Sequence, residues 1–185
     1  MNEAGKHAVR RAQRGYFDRY IVGQGIDIGC GTHPFHKSAI GYDTLISPEQ
    51  RADLALPFPD NHFDYVHSSH CLEHMPNPNT TLWEWWRILK PNGHMIILAP
   101  DFGLYEQRRW PSHYNHDHKT YWSLTKLIQA INILPGAEIV EAHRNSDNYD
   151  FTPKFYDRTL GPALADIEVI ALKTTADYMF SSRIS

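Results

Sequence analysis

Glycines and carboxylates follow short apolar segments of the chain, and their types suit a ligand that contains a nucleoside. Gly29 and Gly31 come directly after an apolar segment that includes Asp27. Glycine lets the backbone turn sharply and lets a ligand approach without a Cβ atom in the way. Asp43 ends the next apolar segment, where its carboxylate is placed to accept hydrogen bonds from both hydroxyls of a ribose. These residues predict a ligand site at a glycine turn.

Two further groups extend this pattern along the chain. Asp53 offers a hydrogen-bond acceptor and Leu54 an apolar wall to an adenine ring. Ser68 and Ser69 end the next apolar segment. A lone Gly-x-Gly turn is usually only a turn, and a single aspartate after a strand is often only a turn residue. The order and spacing of all four groups together make the prediction specific.

Periodicity predicts the elements that position these groups. Strands are predicted at 25–28, 40–43, 63–68, 94–99, 137–143 and 167–173, and helices at 3–22, 79–89 and 123–134. The segment between Gly31 and Gly41 leaves room for only a very short helix or none. Strands that alternate with helices imply an α/β fold with a parallel sheet covered on both sides. Ligands of such sheets lie beyond the carboxyl ends of the strands.

Composition limits the functional class. The chain has 185 residues, 42% hydrophobic and 21% charged, which is typical of one globular domain, and no apolar run long enough to cross a bilayer. Basic residues interrupt the first segment, so we expect no signal peptide, no membrane partner and a cytoplasmic protein. The net charge of −3 argues against a nucleic-acid partner. Cys30 and Cys71 form neither a disulfide framework nor a metal spacing.

Several runs together resemble a known family. Asp27-Ile28-Gly29-Cys30-Gly31-Thr32 is similar to motif I of class I S-adenosylmethionine (SAM)-dependent methyltransferases. The runs 56–66 and 72–74 resemble the methyltransferase-11 type, and 86–94 resembles the helix, turn and strand that follow in that family. The resemblance covers about residues 24–100. The short segment between Gly31 and Gly41 is similar to a compact bacterial subgroup.

The resemblance implies a fold for the whole chain, residues 1–185, as a single SAM-binding methyltransferase domain. The expected fold is Rossmann-like, a mostly parallel twisted sheet with helices on both faces, an antiparallel last strand and a shortened helix after the first strand. Residues 1–22 would form an N-terminal helix, and 100–122 and 144–165 would be substrate loops.

The resemblance also implies roles for individual residues. The turn around Asp27, Gly29, Cys30 and Gly31 would hold the methionine part of SAM, with S-adenosylhomocysteine as product. Asp43 would bind the ribose, Asp53 and Leu54 would contact the adenine, and Ser68 and Ser69 would lie beside the amino group and sulfonium. Many relatives have a further glycine where this chain has Thr32-His33-Pro34, so the turn is expected to differ around the methionine carboxylate.

A nicotinamide-binding Rossmann domain is the rival interpretation of the glycine turn. It requires Gly-x-Gly-x-x-Gly opening a complete helix. Here the third glycine is missing and the helix is truncated. The rival is therefore disfavoured.

Candidate general bases are His70, Asp101 and His116, which follow predicted strands or lie in the loop 100–122. Histidine titrates near neutral pH and suits this role. The run 113–118 also contains three histidines and an aspartate, which a transition metal accepts as ligands. Neighbouring residues of an irregular loop rarely converge on one ion without residues from elsewhere in the fold, so we assign no metal.

The sequence thus predicts a SAM-dependent methyltransferase. The expected acceptor is an oxygen or nitrogen of a small molecule or saccharide, because the motif of base-modifying amino-methyltransferases is absent after the strand 63–68. The alternative is a SAM-binding module without transferase activity, acting as a sensor, a partner subunit or a SAM-degrading enzyme.

Overall fold

The computed structural model describes residue 7, residues 11–12, residues 14–152 and residues 163–175. Within them, six strands form one sheet: β1 (Gly25–Ile28), β2 (Ala39–Tyr42), β3 (Phe63–Ser69), β4 (Leu89–Pro100), β5 (Ala137–Asn145) and β6 (Asp166–Lys173). The described α-helices are α1 (Tyr16–Tyr20), α2 (Pro78–Arg87) and α3 (Leu124–Asn132). A 3₁₀ turn spans Leu72–His74.

The strand order is β2-β1-β3-β4-β6-β5. β1 pairs in parallel with β2 and β3, and β3 pairs in parallel with β4. β6 is antiparallel to both of its neighbours, β4 and β5. The expected mostly parallel sheet with an antiparallel last strand is confirmed. The carboxyl ends of β1 and β3 therefore meet at one edge of the sheet, where Gly29 and Ser69 lie.

Side chains of β4 alternate between two hydrophobic clusters, one on each face of the sheet. Met95 and Ile97 pack on the face covered by α2 and α3, and Ile96 and Leu98 pack on the face covered by α1. In α2, Trp85 and Trp86 are buried while Trp83 is 47% exposed. This agrees with the geometry of a helix, because three tryptophans within four residues cannot share one face.

The predicted element boundaries need two corrections. The predicted helix 3–22 is interrupted at Gly15, whose φ of 60° is left-handed, so α1 starts only at Tyr16. Most of its earlier part lies outside the described residues. β4 starts at Leu89 rather than residue 94, because Leu89 pairs with Phe63 across a register shift, so the predicted turn at 90–93 lies within the strand.

The connections at the carboxyl edge agree with expectation where they are described. Residues 29–38 contain no helix, as predicted. The side chain of Ser123 accepts a hydrogen bond from the Lys126 amide at 3.3 Å and caps α3. The loop 100–122 is anchored by a bridge between Asp101 and Trp122. Residues 153–162 of the second proposed substrate loop lie outside the described residues.

Candidate functional site

The turn after β1 uses its two glycines differently. Gly29 has φ 76° and Gly31 has φ 65°, a left-handed conformation that residues with a Cβ rarely adopt. A Cβ added to Gly29 would lie 2.4 Å from Cβ of Cys71, whereas one added to Gly31 would meet no atom within 4 Å. Gly29 is therefore required by packing, and Gly31 keeps a ligand-sized opening above the turn.

Asp27 holds the segment that replaces the missing helix. Its Oδ2 accepts a hydrogen bond from the Phe35 amide at 2.8 Å, and its Oδ1 accepts one from Nδ1 of His67 at 2.7 Å. Phe35 stacks on the His67 ring with centroids 3.8 Å apart. Burial lowers the pKa of His67, so the ring is neutral and its Nε2 accepts from Nη2 of Arg11 at 3.2 Å. Both oxygens of Asp27 thus have hydrogen-bond donors inside the protein.

Asp43 joins the glycine turn to the loop after β2. Its Oδ2 accepts from the Gly31 amide at 2.8 Å and its Oδ1 from the Leu45 amide at 2.8 Å. Its own amide donates to Oε1 of Gln50 at 3.0 Å. Each carboxylate oxygen keeps a further lone pair. The side chain is half-buried at the rim of the turn, so these lone pairs are available to hydroxyl donors.

Asp53 and Leu54 lie in the loop that follows, outside the group of residues that line the turn. Asp53 accepts two hydrogen bonds from the Arg51 guanidinium, at 2.7 and 3.2 Å, and these bonds lower the pKa of its carboxyl. The Leu54 side chain is 51% exposed. This exposed leucine is consistent with an apolar wall, but the structure does not bring it into the cleft described below.

The two serines at the end of β3 have separate roles. Ser68 is buried and its hydroxyl donates to the Ile28 carbonyl at 2.9 Å, which ties β3 to β1. The Ser69 hydroxyl is buried and has no hydrogen-bond partner among the described residues. Ser69, not Ser68, therefore offers a polar atom to a ligand.

A cleft of about 380 Å³ lies at the carboxyl ends of β1 and β3, and of the predicted cofactor residues, Asp43, Asp53, Leu54 and Ser68 are not part of its lining. Its lining residues are Asp27, Gly29, Cys30, Gly31, Thr32, His33, Leu45, His67, Ser69 and His70. Cys30 is half-buried there, and burial raises the pKa of its thiol to about 11. Both cysteines are free, as expected, and Cys30 stays protonated at neutral pH.

Of the three candidate bases, only His70 lines the cleft. It has a positive φ of 54°, and its Nε2 lies 3.7 Å from Oδ2 of Asp166. His116 is exposed and is not part of the lining. The geometry therefore favours His70 over His116.

Asp101 is held by the protein on every side. It is fully buried and accepts hydrogen bonds from the amides of Gly103 and Leu104. The Arg144 guanidinium binds both of its oxygens at 3.0 Å. Asp101 is not among the residues that line the cleft, so its predicted role as a base stays a prediction.

Sequence reasoning missed His67, Phe35, His33 and Leu45. The signal for His67 was present, since it lies two residues before Ser69 in β3 and so points to the same face. Phe35 and His33 lie in an irregular segment whose path no periodicity describes. Leu45 reaches the cleft only because of the turn that Asp43 caps after β2.

Known proteins that resemble this chain are methyltransferases. The family model for a methyltransferase domain of the methyltransferase-11 type matches residues 36–97. A ubiquinone/menaquinone biosynthesis C-methyltransferase UbiE from Psychromonas ingrahamii is 30% identical over 109 residues, which are 51% of this chain and 42% of that protein. The resemblance to class I SAM-dependent methyltransferases is confirmed. The family implies SAM as the cofactor.

Two further relatives extend the comparison beyond the matched segment. A demethylmenaquinone methyltransferase from Symbiobacterium thermophilum is 26% identical over 177 residues, which are 86% of this chain and 65% of that protein. A SAM-dependent methyltransferase from Archaeoglobus fulgidus superposes with a TM-score of 0.62 at 16% identity, over 90% of this chain and 93% of that one. At this identity the superposition shows the Rossmann-like methyltransferase fold alone.

The chain spans less than two thirds of the length of either quinone-pathway relative, at 42% and 65%. In the part of the chain that the structure describes, no helix combines the length and apolar character needed to cross a bilayer.

Proposed function

We propose that this protein is a SAM-dependent methyltransferase that binds its cofactor in the cleft at the carboxyl ends of β1 and β3. The observation that carries the proposal is the left-handed turn at Gly31, which opens onto the cleft and is held by Asp43. The same cleft contains a buried hydroxyl, that of Ser69, without a partner among the described residues. The two free cysteines support a cytoplasmic location.

The residues present fit the cofactor part by part. The open space beside Gly29, Cys30 and Gly31 suits the methionine portion, and the Ser69 hydroxyl suits its amino group. Asp43 suits the ribose, because each of its oxygens retains a lone pair beside the amide bond that fixes it. Asp53 and Leu54 are proposed for the adenine, although the structure places them outside the cleft lining.

SAM supplies a methyl group already activated on a sulfonium, so the protein has to align an acceptor and exclude water. His70 stands at the end of β3 beside Ser69, where it can position the acceptor or take its proton. Oδ2 of Asp166 lies 3.7 Å from Nε2 of His70, where it can orient the ring.

We propose a small molecule as the acceptor. The predicted acceptor is an oxygen or nitrogen, whereas the name of one quinone-pathway relative indicates a carbon acceptor. A quinone-related acceptor is the better supported of the two, because two relatives are named for quinone biosynthesis or a menaquinone precursor, and a saccharide is not supported.

Calorimetry with SAM and with S-adenosylhomocysteine tests the cofactor site. We expect the intact protein to bind both, and Asp43→Ala to weaken both by about tenfold or more, because hydrogen bonds to a charged group are lost. Asp18→Ala, at an exposed position of α1, is the matched control and should bind normally. Failure of the intact protein to bind either ligand would refute the proposal.

Release of S-adenosylhomocysteine, followed over a panel of quinols and small hydroxyl and amine compounds, tests the transfer. Release with one acceptor class and loss of that activity in His70→Gln would support the proposed role of His70. A protein that binds SAM but methylates nothing in the panel would favour a SAM-binding module without transferase activity.

A further inference from the structure

A second cluster of ionisable side chains lies just beyond the cleft. Glu73 is the middle residue of the 3₁₀ turn that follows β3, and it is only 1% exposed. Neither of its carboxylate oxygens has a hydrogen-bond partner among the described residues. A carboxylate buried without hydrogen bonds or a counter-charge is costly by several kcal/mol. Such a group indicates a cation that the side chain binds.

Imidazole nitrogens surround this carboxylate at nearly equal distances. Oε1 of Glu73 lies 3.7 Å from Nε2 of His74, 3.8 Å from Nδ1 of His70 and 3.9 Å from Nε2 of His118. All three distances exceed the range of an N–H···O hydrogen bond. A protonated imidazole free to approach the carboxylate would close this distance, so the spacing fits ligands arranged around a shared centre better than ion pairs.

The backbone brings His118 to this position from the long loop. The amides of Lys119 and Thr120 donate to the Glu73 carbonyl at 2.7 and 3.1 Å. The His74 and His118 rings meet edge to face with centroids 5.0 Å apart. The loop histidine therefore does converge with residues from elsewhere in the fold, which the sequence did not predict.

Outer hydrogen bonds leave one nitrogen of each ring directed at Glu73. Nδ1 of His118 donates to Oε1 of Glu106 at 2.7 Å, and Nδ1 of His74 donates to the Asp117 carbonyl at 3.3 Å. With Nδ1 protonated, the Nε2 atom of each ring carries a lone pair. Carboxylate or carbonyl partners of this kind are what orients metal-binding histidines.

Three buried aspartates of the described chain accept hydrogen bonds from the protein. Asp27 and Asp101 accept the bonds given above. Asp166 accepts from Nε2 of His7 at 2.9 Å and from Nδ2 of Asn145 at 2.6 Å. Buried Glu106 and Glu168 each have one oxygen without a hydrogen-bond partner among the described residues, whereas at Glu73 both oxygens are without one.

We propose that Glu73, His74 and His118 bind a divalent transition-metal ion such as Zn²⁺. Their ligand atoms lie within 4.8 Å of one another. Ligands bound to Zn²⁺ at about 2.0–2.1 Å in a tetrahedral site are separated by roughly 3.3 Å, so binding an ion would shorten the distances between ligand atoms by up to about 1.5 Å. Two imidazoles and a carboxylate are a donor set that zinc and other first-row ions accept. The ion would fasten the loop at His118 to the turn after β3, beside His70 and the cleft.

The full chain, stripped with EDTA, is titrated with Zn²⁺ in a calorimeter and with Co²⁺ by visible absorption, without SAM. We expect one tight equivalent of Zn²⁺, a d–d spectrum of a low-coordinate Co²⁺ site, and a higher melting temperature with either ion. Glu73→Gln and His118→Gln should lose the tight equivalent. Glu106→Gln, which removes the outer carboxylate, should weaken binding by about 10–100-fold.

His113→Gln and His116→Gln are the matched controls, because both histidines are exposed in the same loop. They should leave the affinity and the cobalt spectrum unchanged. The proposal is wrong if the wild-type chain takes up no tight equivalent of either ion, or if the control variants lose binding as His118→Gln does. Because the readout is metal binding alone, it is independent of whether SAM binds.

Discussion

Two groups of carboxylates flank His70 at the end of β3, and they differ in how their charge is balanced. Asp27, which lines the cleft, and Asp43, at the rim of the glycine turn, each accept two hydrogen bonds from the protein. Beyond His70, Glu73 is as deeply buried as Asp27, yet neither oxygen has a partner among the described residues. The cleft is therefore organised before any ligand arrives, whereas the Glu73 cluster depends on a cation for its balance.

The largest expected effect is that of Asp27→Ala. The substitution leaves Nδ1–H of His67 and the Phe35 amide buried without an acceptor, at about 1–3 kcal/mol for each. We expect the free energy of unfolding, measured with urea, to fall by about 3 kcal/mol or more. Asp18→Ala, at an exposed position, should change it by less than about 0.5 kcal/mol. If the two variants were equally stable, the hydrogen bonds of Asp27 would contribute no more to stability than an exposed carboxylate does.

Acid should weaken the cleft through His67. Its pKa is lowered in the folded protein by burial, so the unfolded chain binds the proton more readily. Stability is then complete above the unfolded pKa of about 6.5 and falls below it, by at most about 1.4 kcal/mol per pH unit. His94, whose pKa burial also lowers, contributes in the same range. Between pH 7.5 and 5.5, the free energy of unfolding measured with urea should fall less steeply with decreasing pH for His67→Gln than for the wild type. An equally steep fall would show that His67 is not the cause of the acid sensitivity.

Features of the molecule that depend on local sequence could be predicted. Strands were predictable because apolar runs and turn residues are local, and the missing helix was predictable because too few residues separate Gly31 from Gly41. Cofactor residues that belong to the glycine turn follow from the same local pattern. Gly29, Gly31 and Ser69 all line the cleft, and their role toward a cofactor stays a prediction.

Long-range pairings explain what the sequence did not predict. The convergence of His118 with Glu73 depends on two backbone hydrogen bonds from residues 119 and 120, which no spacing encodes. The neutralisation of Asp101 depends on Arg144, a residue 43 positions away. Neither pairing follows from periodicity, so the sequence indicates neither the salt bridge of Asp101 nor the approach of His118 to Glu73.

Gly31→Ala should separate binding from stability in the cleft. A Cβ there meets no atom within 4 Å, so the cost is the left-handed backbone alone, about 1–2 kcal/mol. The same Cβ lies where the cofactor is proposed, and we expect SAM affinity to fall by more than the stability does. Gly31→Asn, which tolerates this φ better, should be more stable than Gly31→Ala yet bind SAM no better. Calorimetry and urea unfolding on both variants would decide, and normal SAM binding by either variant would place the cofactor elsewhere.

The smallest expected change is that of Glu73→Gln in metal-free protein, and its sign distinguishes the two regions. Removing the charge removes an uncompensated burial cost, and the new amide can donate to Nε2 of His74 or His118. In EDTA we expect an unfolding free energy equal to that of the wild type or higher by about 1 kcal/mol. With Zn²⁺ present the order should reverse, because only the wild type gains from the ion. A loss of stability in EDTA comparable to that of Asp27→Ala would show that Glu73, like Asp27, is balanced by the protein itself.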